Sequence, residues 1–321
     1  MAKQRKGRVS AGQVQSQRRS ASQWAVAWRR FKRNKAGVVG LIMVSILVFI
    51  AIFHNMLALY PTRTDARAFT PFYRGETAEP PSAKYPFGTS SIGTDVFSDV
   101  IHGSVWTIYV GILVTAITMG LAIVVGSIAG YFGGWLDNIL MRITEIFLVF
   151  PSLLLILVFV RIFSLSAGTG DWQLLGLSLP PGLTIVVVIL GVFNWASNAR
   201  MVRGEFLRVR EQEFVQAEKA LGASNLRIIF RHVLPNILSS IIVVGTLTIA
   251  YAILLEAATS FLGFGDPNTI TWGQILQENF SEMRTVWWAE VFPGLAILFS
   301  VFGFNLLGDG LSDALNPRLR E

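Results

Sequence analysis

The sequence predicts an all-α membrane protein with six transmembrane helices. Of its 321 residues, 52% are hydrophobic and 15% are charged, whereas about 25% of the residues of a soluble domain are charged. Long uncharged runs occupy residues 36–62, 100–136 and 172–199, and each is longer than the stretch of about 20 residues that crosses a bilayer. The basic residues are also concentrated in particular segments of the chain, which indicates a defined orientation in the membrane.

The predicted spans are six apolar segments: 36–59, 104–131, 139–164, 182–200, 236–262 and 288–308. Glu145 interrupts the third span and Glu256 the fifth, and the sixth has a short uncharged run, so five or seven spans are alternatives. The first run follows a long basic region and exceeds the about 7–15 apolar residues of a cleaved signal. We therefore interpret it as a retained membrane anchor.

The distribution of lysine and arginine predicts that both termini are cytoplasmic. With that orientation, the cytoplasmic segments hold 21 of the 27 basic residues, the outer loops hold five, and Arg161 lies at the outer end of the third span. Because basic residues near spans are retained on the cytoplasmic side, we expect a multi-pass protein of the plasma (inner) membrane. The chain then divides into four regions: a basic cytoplasmic segment (1–35), the first span with its outer loop (36–99), a five-span core (100–308) and a cytoplasmic tail (309–321).

The N-terminal segment holds eleven basic residues and no acidic one. Trp24, Trp28 and Phe31 follow each other at helical spacing, so they form one apolar face among basic side chains. This pattern predicts a helix that lies on the inner leaflet and contacts membrane lipid. We prefer this interpretation to an arm that binds nucleic acid.

Several classes of catalytic or metal site lack their required residues. The chain has no cysteine and three histidines in separate segments, so neither a thiolate nor a histidine metal site is expected. None of its lysines follows a glycine, as the lysine of a phosphate-binding Walker loop must. We predict no catalytic residues, no metal and no cofactor in this chain.

The predicted cytoplasmic loop 200–235 is the most informative segment. Helix-forming residues such as Val215, Ala217, Ala220 and Leu221 are followed by Gly222, and Ser224 can cap a second short helix before Leu234 and Pro235 lead into the next span. We therefore expect two short helices that are joined near Gly222.

The same loop resembles the EAA loop of ABC-importer permeases. The resemblance rests on the segment from Gln216 to Gly222 and on Leu234-Pro235 after a gap of eleven residues. The positions that match or neighbour the motif, and that the resemblance implies contact an ATPase, are Gln216, Ala217, Glu218, Lys219, Ala220, Gly222, Ala223, Leu234 and Pro235. The sequence departs from the family pattern at Gln216, Glu218 and His232.

Further segments resemble C-type permeases of dipeptide, oligopeptide and nickel importers. They include Glu256-Ala257-Ala258-Thr259-Ser260-Phe261-Leu262-Gly263, Phe292-Pro293-Gly294-Leu295 and Gly130-Tyr131-Phe132-Gly133-Gly134-Trp135. The resemblance implies a type I permease bundle with cytoplasmic coupling helices. It also implies four kinds of partner: membrane lipid, a second permease subunit, two cytoplasmic ATPase subunits that bind ATP and Mg²⁺, and an extracytoplasmic solute-binding protein.

Polar residues inside the spans are candidates for the transport pathway, because burying them in a bilayer is costly. We select Glu256, Glu145, Asn194, Trp195 and Asn198. Glu145 can also pair with Arg142, Glu256 can instead fix the turn at 263–265, and the cluster around Trp195 is typical of contacts between helices.

The predicted function is ATP-driven import of dipeptides or oligopeptides, and the alternatives are another cargo, an ion-coupled secondary transporter and a membrane scaffold without transport. The same type of importer could carry oligosaccharides, nickel or glutathione. An ion-coupled secondary transporter would instead use Glu145 or Glu256 and would need no ATPase.

Overall fold

The computed structural model describes residues 23–61, 77–164, 172–174 and 177–315. The described part of the chain is almost entirely helical, which confirms the all-α class. Its α-helices are α1 Gln23–Phe31, α2 Lys35–Ile52, α3 His54–Leu57, α4 Val96–Phe132, α5 Gly134–Val149, α6 Ser152–Ser164, α7 Pro181–Phe193, α8 Trp195–Arg210, α9 Glu213–Ala220, α10 Asn225–Ile228, α11 Leu234–Thr259, α12 Trp272–Asn279 and α13 Trp288–Leu315. Short π-helical segments cover Ile229–Val233 and Ser260–Phe264, and a 3₁₀ turn covers Phe280–Glu282. A two-stranded hairpin, β1 Trp172–Leu174 and β2 Leu177–Leu179, lies between α6 and α7.

Six membrane spans are accounted for when two bent helix pairs are each counted as one span. Among the described residues, four continuous helical stretches are long and apolar enough to cross a bilayer: α2, α4, the stretch Asn225–Phe264 that includes α11, and α13. The pairs α5–α6 and α7–α8 qualify only together. The six predicted segments therefore coincide with six helical units of the fold.

The third and fourth predicted spans are broken, which the prediction of continuous spans did not include. The third bends by 85° between α5 and α6, and the fourth by 42° between α7 and α8. Pro151 explains the first break, because proline disfavours helical backbone in the residue before it, and Phe150 is extended at ψ 139°. The second break lies at Asn194, whose φ and ψ of −107° and 3° depart from helical values.

Several helices also extend beyond the predicted spans. Helix α4 begins at Val96, ahead of residue 104, because Asp95 accepts a hydrogen bond from the backbone N–H of Ser98 and caps it. Helix α13 runs to Leu315, past residue 308, and α8 runs to Arg210. The predicted spans cover only the apolar parts of these helices, and the helices continue through the polar and charged residues beyond them.

Close packing of α4 against α8 positions the site described below. A Cβ atom at Gly126 would lie 2.7 Å from the carbonyl oxygen of Ala199, and one at Gly130 would lie 2.6 Å from Cβ of Phe206. These two glycines therefore allow α4 and α8 to pack closely. Gly134, four residues further on, has no such neighbour and begins α5 with a φ of +59°.

The short helix α1 docks on the ends of α2 and α13. Phe31 is buried, and its ring lies 3.0 Å from the position of a Cβ atom at Gly37 and 3.2 Å from one at Gly310. Trp28 is 51% exposed, and Lys32 lies over its ring at 5.1 Å. The predicted helix is therefore present, and Trp24 lies among residues whose side chains are not described.

The predicted outer loop folds as turns that pack on the start of α13. Trp288 donates a hydrogen bond from Nε1 to the carbonyl of Thr89 at 2.9 Å, and the ring of Phe87 stacks on Phe292 at 3.9 Å. Ser91 also donates from its backbone N–H to Asn279 at 3.1 Å. Residues 62–76 of this loop lie outside the described residues.

Candidate coupling loop and transport cavity

The loop between α8 and α11, residues 211–233, which we call the coupling loop, contains two short helices joined near Gly222, as predicted. After α9, Gly222 has a φ of +81°. Its N–H donates to the carbonyl of Lys219, and the N–H of Ala223 donates to that of Glu218. These two bonds form a Schellman motif, which satisfies the last carbonyls of a helix. Ser224 then caps α10, because its hydroxyl accepts from the N–H of Arg227.

One side of this coupling loop is anchored in the helix bundle. Val215 of α9 and Ile228 of α10 are completely buried. They belong to one hydrophobic cluster with residues of α4, α8 and α11, including Tyr131, Val202, Phe206, Val209 and Ile237. Because closely packed side chains transmit displacement, a force on either short helix reaches the spans that flank the loop.

The coupling loop also exposes large apolar side chains. Phe214, Leu221, Leu226 and Phe230 are 39%, 82%, 67% and 64% exposed. Such a group is costly to leave in water and is typical of a protein interaction site. We call these four residues the apolar face of the coupling loop.

The predicted coupling residues fall into three groups. Ala217, Ala220 and Gly222 are exposed, whereas Ala223 is partly buried. Leu234 and Pro235 form the first turn of α11, where proline needs no N–H partner. The polar residues contact other parts of the loop, as the next paragraph describes.

Each polar residue of the predicted motif has a partner. Gln216 donates from Nε2 to the carbonyl of Arg210 at 3.1 Å. Glu218 and His232 face each other, with Oε1 and Nε2 3.7 Å apart, so two of the departures from the family pattern lie side by side. The ammonium of Lys219 lies 5.6 Å from the centre of the Tyr131 ring.

The end of α4 adds contacts that sequence reasoning missed. Tyr131 donates from its hydroxyl to Oδ1 of Asn225 at 2.9 Å, and its carbonyl accepts from Nη1 of Arg210 at 3.1 Å. Asp137 of α5 forms a two-point ion pair with Arg203 of α8 at 2.5 and 2.6 Å. Residues so distant in sequence offer no local motif, so only the fold reveals these contacts.

A cavity of about 430 Å³ lies where both bent spans break. Its walls come from the α5–α6 break, the α7–α8 break and the middle of α11. The lining residues are Phe147, Leu148, Phe150, Ser152, Phe193, Asn194, Ala196, Ser197, Asn198, Val244, Leu247, Thr248 and Tyr251. All thirteen belong to the described part of the chain, and none of them is charged.

Two of the five predicted pathway residues line this cavity. Asn194 donates from Nδ2 to the carbonyl of Leu190 at 2.7 Å, and Asn198 donates to the hydroxyl of Thr248 at 3.4 Å. Both donations leave the amide oxygens available as acceptors. Trp195 is buried instead, edge-on to Phe147 at 5.3 Å.

The two intramembrane glutamates do not line the cavity. Glu145 forms the expected ion pair with Arg142 at 2.9 Å and lies 3.8 Å from Arg200. Glu256 is completely buried at the end of α11 and accepts a hydrogen bond from the Ser260 hydroxyl at 2.7 Å. Their part in transport stays a prediction.

Sequence reasoning missed Ser152, Ser197, Thr248 and Tyr251 of the cavity. Hydroxyl residues are frequent in transmembrane helices, so their presence in a span does not single them out. Pro151 was a usable signal, because a proline in an apolar run marks a broken helix.

Comparison with known proteins identifies the family of this fold. The family described as binding-protein-dependent transport system inner membrane component matches residues 122–321, which contain the coupling loop and the cavity. The chain belongs to this family. Its N-terminal part, residues 22–81, matches the N-terminal transmembrane domain of oligopeptide transport permease C.

Curated permeases resemble the chain over most of its length. It is 35% identical to the oligopeptide transport system permease protein OppC of Bacillus subtilis, over 95% of this chain and 92% of the relative. It is 36% identical to the dipeptide transport system permease protein DppC of Alkalihalophilus pseudofirmus, over 94% and 92%. The glutathione transport system permease protein GsiD of Pectobacterium atrosepticum is 34% identical, over 93% and 92%.

The protein is therefore a multi-pass permease component of an ABC importer. In this family the permease is a subunit of a transporter whose ATP is hydrolysed by partner ATPases. Among the described residues there is no group of three metal-ligating side chains.

Proposed function

We propose that this permease forms half of the translocation path of an ATP-driven importer of dipeptides and oligopeptides. In this proposal, a second permease subunit completes the path, and two cytoplasmic ATPase subunits bind ATP and Mg²⁺. An extracytoplasmic solute-binding protein delivers the cargo, and both termini of this chain are cytoplasmic.

The coupling loop is the observation that carries the proposal. Val215 and Ile228 hold it in the bundle, while the apolar face is left open to a partner. A rigid element that is seated in a cleft of an ATPase converts closure of the ATPase into movement of the spans. We assign this docking role to the apolar face together with the motif residues from Gln216 to Ala223.

The cavity supports a peptide as the cargo. Its free acceptors are the amide oxygens of Asn194 and Asn198, and the serine, threonine and tyrosine hydroxyls can donate or accept. Peptide N–H groups need acceptors, and peptide carbonyls need donors. Because the lining is uncharged, the path accepts peptides with little regard to the charge of their side chains. The names of the relatives, which include oligopeptide, dipeptide and glutathione permeases, agree with this class of cargo.

The placement of the glutamates favours ATP-driven import over ion coupling. Glu145 is paired with Arg142, and Glu256 is hydrogen-bonded outside the cavity. We assign Glu256 to fixing the turn after α11, since it accepts a hydrogen bond from the Ser260 hydroxyl, and a Cβ atom at Gly265 in that turn would lie 2.5 Å from the same hydroxyl.

The first experiment is extraction of the chain from native membranes in mild detergent, with identification of bound proteins by mass spectrometry. We expect a second permease and ATPase subunits to co-purify. Leu221→Asp places a charge on the apolar face and should remove the ATPases, because a buried leucine contributes about 1.5–3 kcal/mol. Ile92→Asp is the matched control, since Ile92 is an exposed apolar residue of the outer loop, away from the coupling loop, and its replacement should not affect ATPase binding. A chain that repeatedly purifies alone would contradict the importer assignment.

The second experiment tests the cargo in proteoliposomes that contain the whole complex. We expect ATP-dependent uptake of labelled trialanine, with competition by dipeptides. Competition by an oligosaccharide, Ni²⁺ or glutathione alone would reassign the cargo. Uptake that needs an ion gradient and no ATP would instead support the secondary-transporter alternative.

A further inference from the structure

Tyr131 occupies the point where the second span meets the coupling loop. It lies in the last turn of α4 and is 6% exposed. Helix α4 does not adjoin the coupling loop in sequence, unlike α8 and α11. Any link between α4 and the loop must therefore be made by noncovalent contacts.

Both short helices of the loop contact Tyr131. Its hydroxyl donates to Asn225 of α10 at 2.9 Å, and the centre of its ring lies 5.6 Å from the ammonium of Lys219 of α9. Its carbonyl accepts from Arg210, the last residue of α8, at 3.1 Å. One residue thus contacts three consecutive helices around the coupling loop.

The surrounding backbone cannot easily absorb a movement at this point. Gly130 packs so tightly on α8 that a Cβ atom would lie 2.8 Å from the carbonyl oxygen of Arg203. Arg210 also donates to the carbonyl of Gly130 at 3.2 Å. A displacement of α9 or α10 is therefore passed to α4 through Tyr131 rather than lost in a flexible junction.

We propose that Tyr131 is a positioning residue for coupling, which joins α9 and α10 to α4 so that the second span moves with the loop. This inference rests on the proposed docking of ATPases to the coupling loop. Tyr131 lies outside the loop motif, and in this proposal its contacts make α4 move together with the coupling loop.

The test compares hydrolysis with uptake in the reconstituted complex with its partner permease, ATPases and binding protein. Tyr131→Phe removes the hydroxyl and keeps the ring under Lys219. We expect ATP hydrolysis to continue while trialanine uptake per ATP falls about fivefold, which corresponds to the ~1 kcal/mol of one hydrogen bond. Asn225→Ala should have the same effect, and the double variant should be no worse than either single variant.

Two controls separate positioning from folding. Tyr109→Phe deletes a hydroxyl from a partly buried tyrosine of the same helix, in the cluster that α4 forms with α6 and α7, and should leave uptake per ATP unchanged. Co-purification of the ATPases and the thermal midpoint show whether each variant is folded and assembled. The inference would be overturned if Tyr131→Phe left uptake per ATP unchanged. It would also be overturned if hydrolysis and uptake both fell in proportion to a loss of assembled complex.

A distance measurement tests the link independently of cargo. The chain has no cysteine, so Glu213→Cys on α9 and Val124→Cys on α4 give two unique positions for spin labels. We expect a narrow distance distribution in the wild-type background, with or without ATP, and a broader one with Tyr131→Phe. Equal widths would overturn the inference. If the wild-type complex fails to transport trialanine, the proposed cargo fails, and this measurement still decides the role of Tyr131.

Discussion

Replacement of Gly222 is expected to uncouple ATP hydrolysis from uptake while the protein stays inserted and folded. Gly222 has a φ of +81°, whereas proline is restricted to a φ near about −65°. Gly222→Pro also removes the N–H that donates to Lys219 at 3.0 Å. The native turn should therefore be lost locally, between the anchored α9 and α10.

The size of the effect follows from these two losses. A misplaced proline costs about 3 kcal/mol, and each 1.4 kcal/mol corresponds to about a tenfold change in an equilibrium constant. We therefore expect the native arrangement of the loop to become about a hundredfold less populated. Because Gly222 is exposed and has nothing within 4 Å of its added Cβ position, the helix bundle itself should not be disturbed.

Gly222→Ala provides a graded version of the same test. The added methyl group meets no neighbour, so the only cost is the left-handed backbone, about 1–2 kcal/mol for an L-residue. Gly204→Ala is the matched control, because Gly204 lies inside α8 and also has nothing within 4 Å. Alanine should stabilise that helix by about 1 kcal/mol and leave coupling intact.

The assay is the number of peptides taken up per ATP hydrolysed in proteoliposomes, with membrane insertion checked by protease protection. We expect the order wild type and Gly204→Ala, then Gly222→Ala, then Gly222→Pro. Wild-type uptake per ATP in Gly222→Pro would refute the coupling role of the turn. A variant that fails to insert would instead refute the claim that the turn is energetically separate from the bundle.

Three further predictions concern the bundle. Gly126→Ala should lower the free energy of unfolding by about 1–3 kcal/mol through overpacking against α8, which a lower thermal midpoint of unfolding would show. Gly120→Ala is the control, because its added methyl group meets no neighbour. Equal midpoints for the two variants would contradict the close contact. Asp137→Asn should destabilise the α5–α8 contact by about 1.5–3 kcal/mol. Arg203→Lys should have a similar effect, because lysine cannot form the two-point ion pair. An Arg203→Lys protein as stable as the wild type would argue against that geometry. Glu256→Gln keeps an acceptor for Ser260 and should retain ATP-driven uptake. Loss of uptake in this variant would favour an ion-coupled mechanism.

The coupling loop could be predicted from sequence because its determinants are local. Helix-forming residues, Gly222 and Ser224 follow one another along the chain, and each acts on its immediate neighbours. The two short helices, the left-handed turn and the cap at Ser224 are all present. The partner of Glu218 could not be predicted, since His232 reaches it only after the chain has passed through α10.

The cavity could be predicted only in part. Asn194 and Asn198 stood out because amides are unusual in an apolar span, but Glu145 and Glu256 stood out for the same reason and lie elsewhere. Burial in a bilayer is costly for all four side chains. That cost indicates that each needs a partner, and it does not distinguish an ion pair such as Arg142–Glu145 from a cavity wall.

The sequence by itself determined the class of the protein, because long apolar runs must form helices in a bilayer and the basic residues predict their orientation. It also determined the local geometry of the coupling loop. The tertiary structure decided where the third and fourth spans bend, which polar groups share a cavity, and that Tyr131 joins α4 to the loop. These features depend on contacts between residues far apart in the chain, and such contacts exist only once the helices pack.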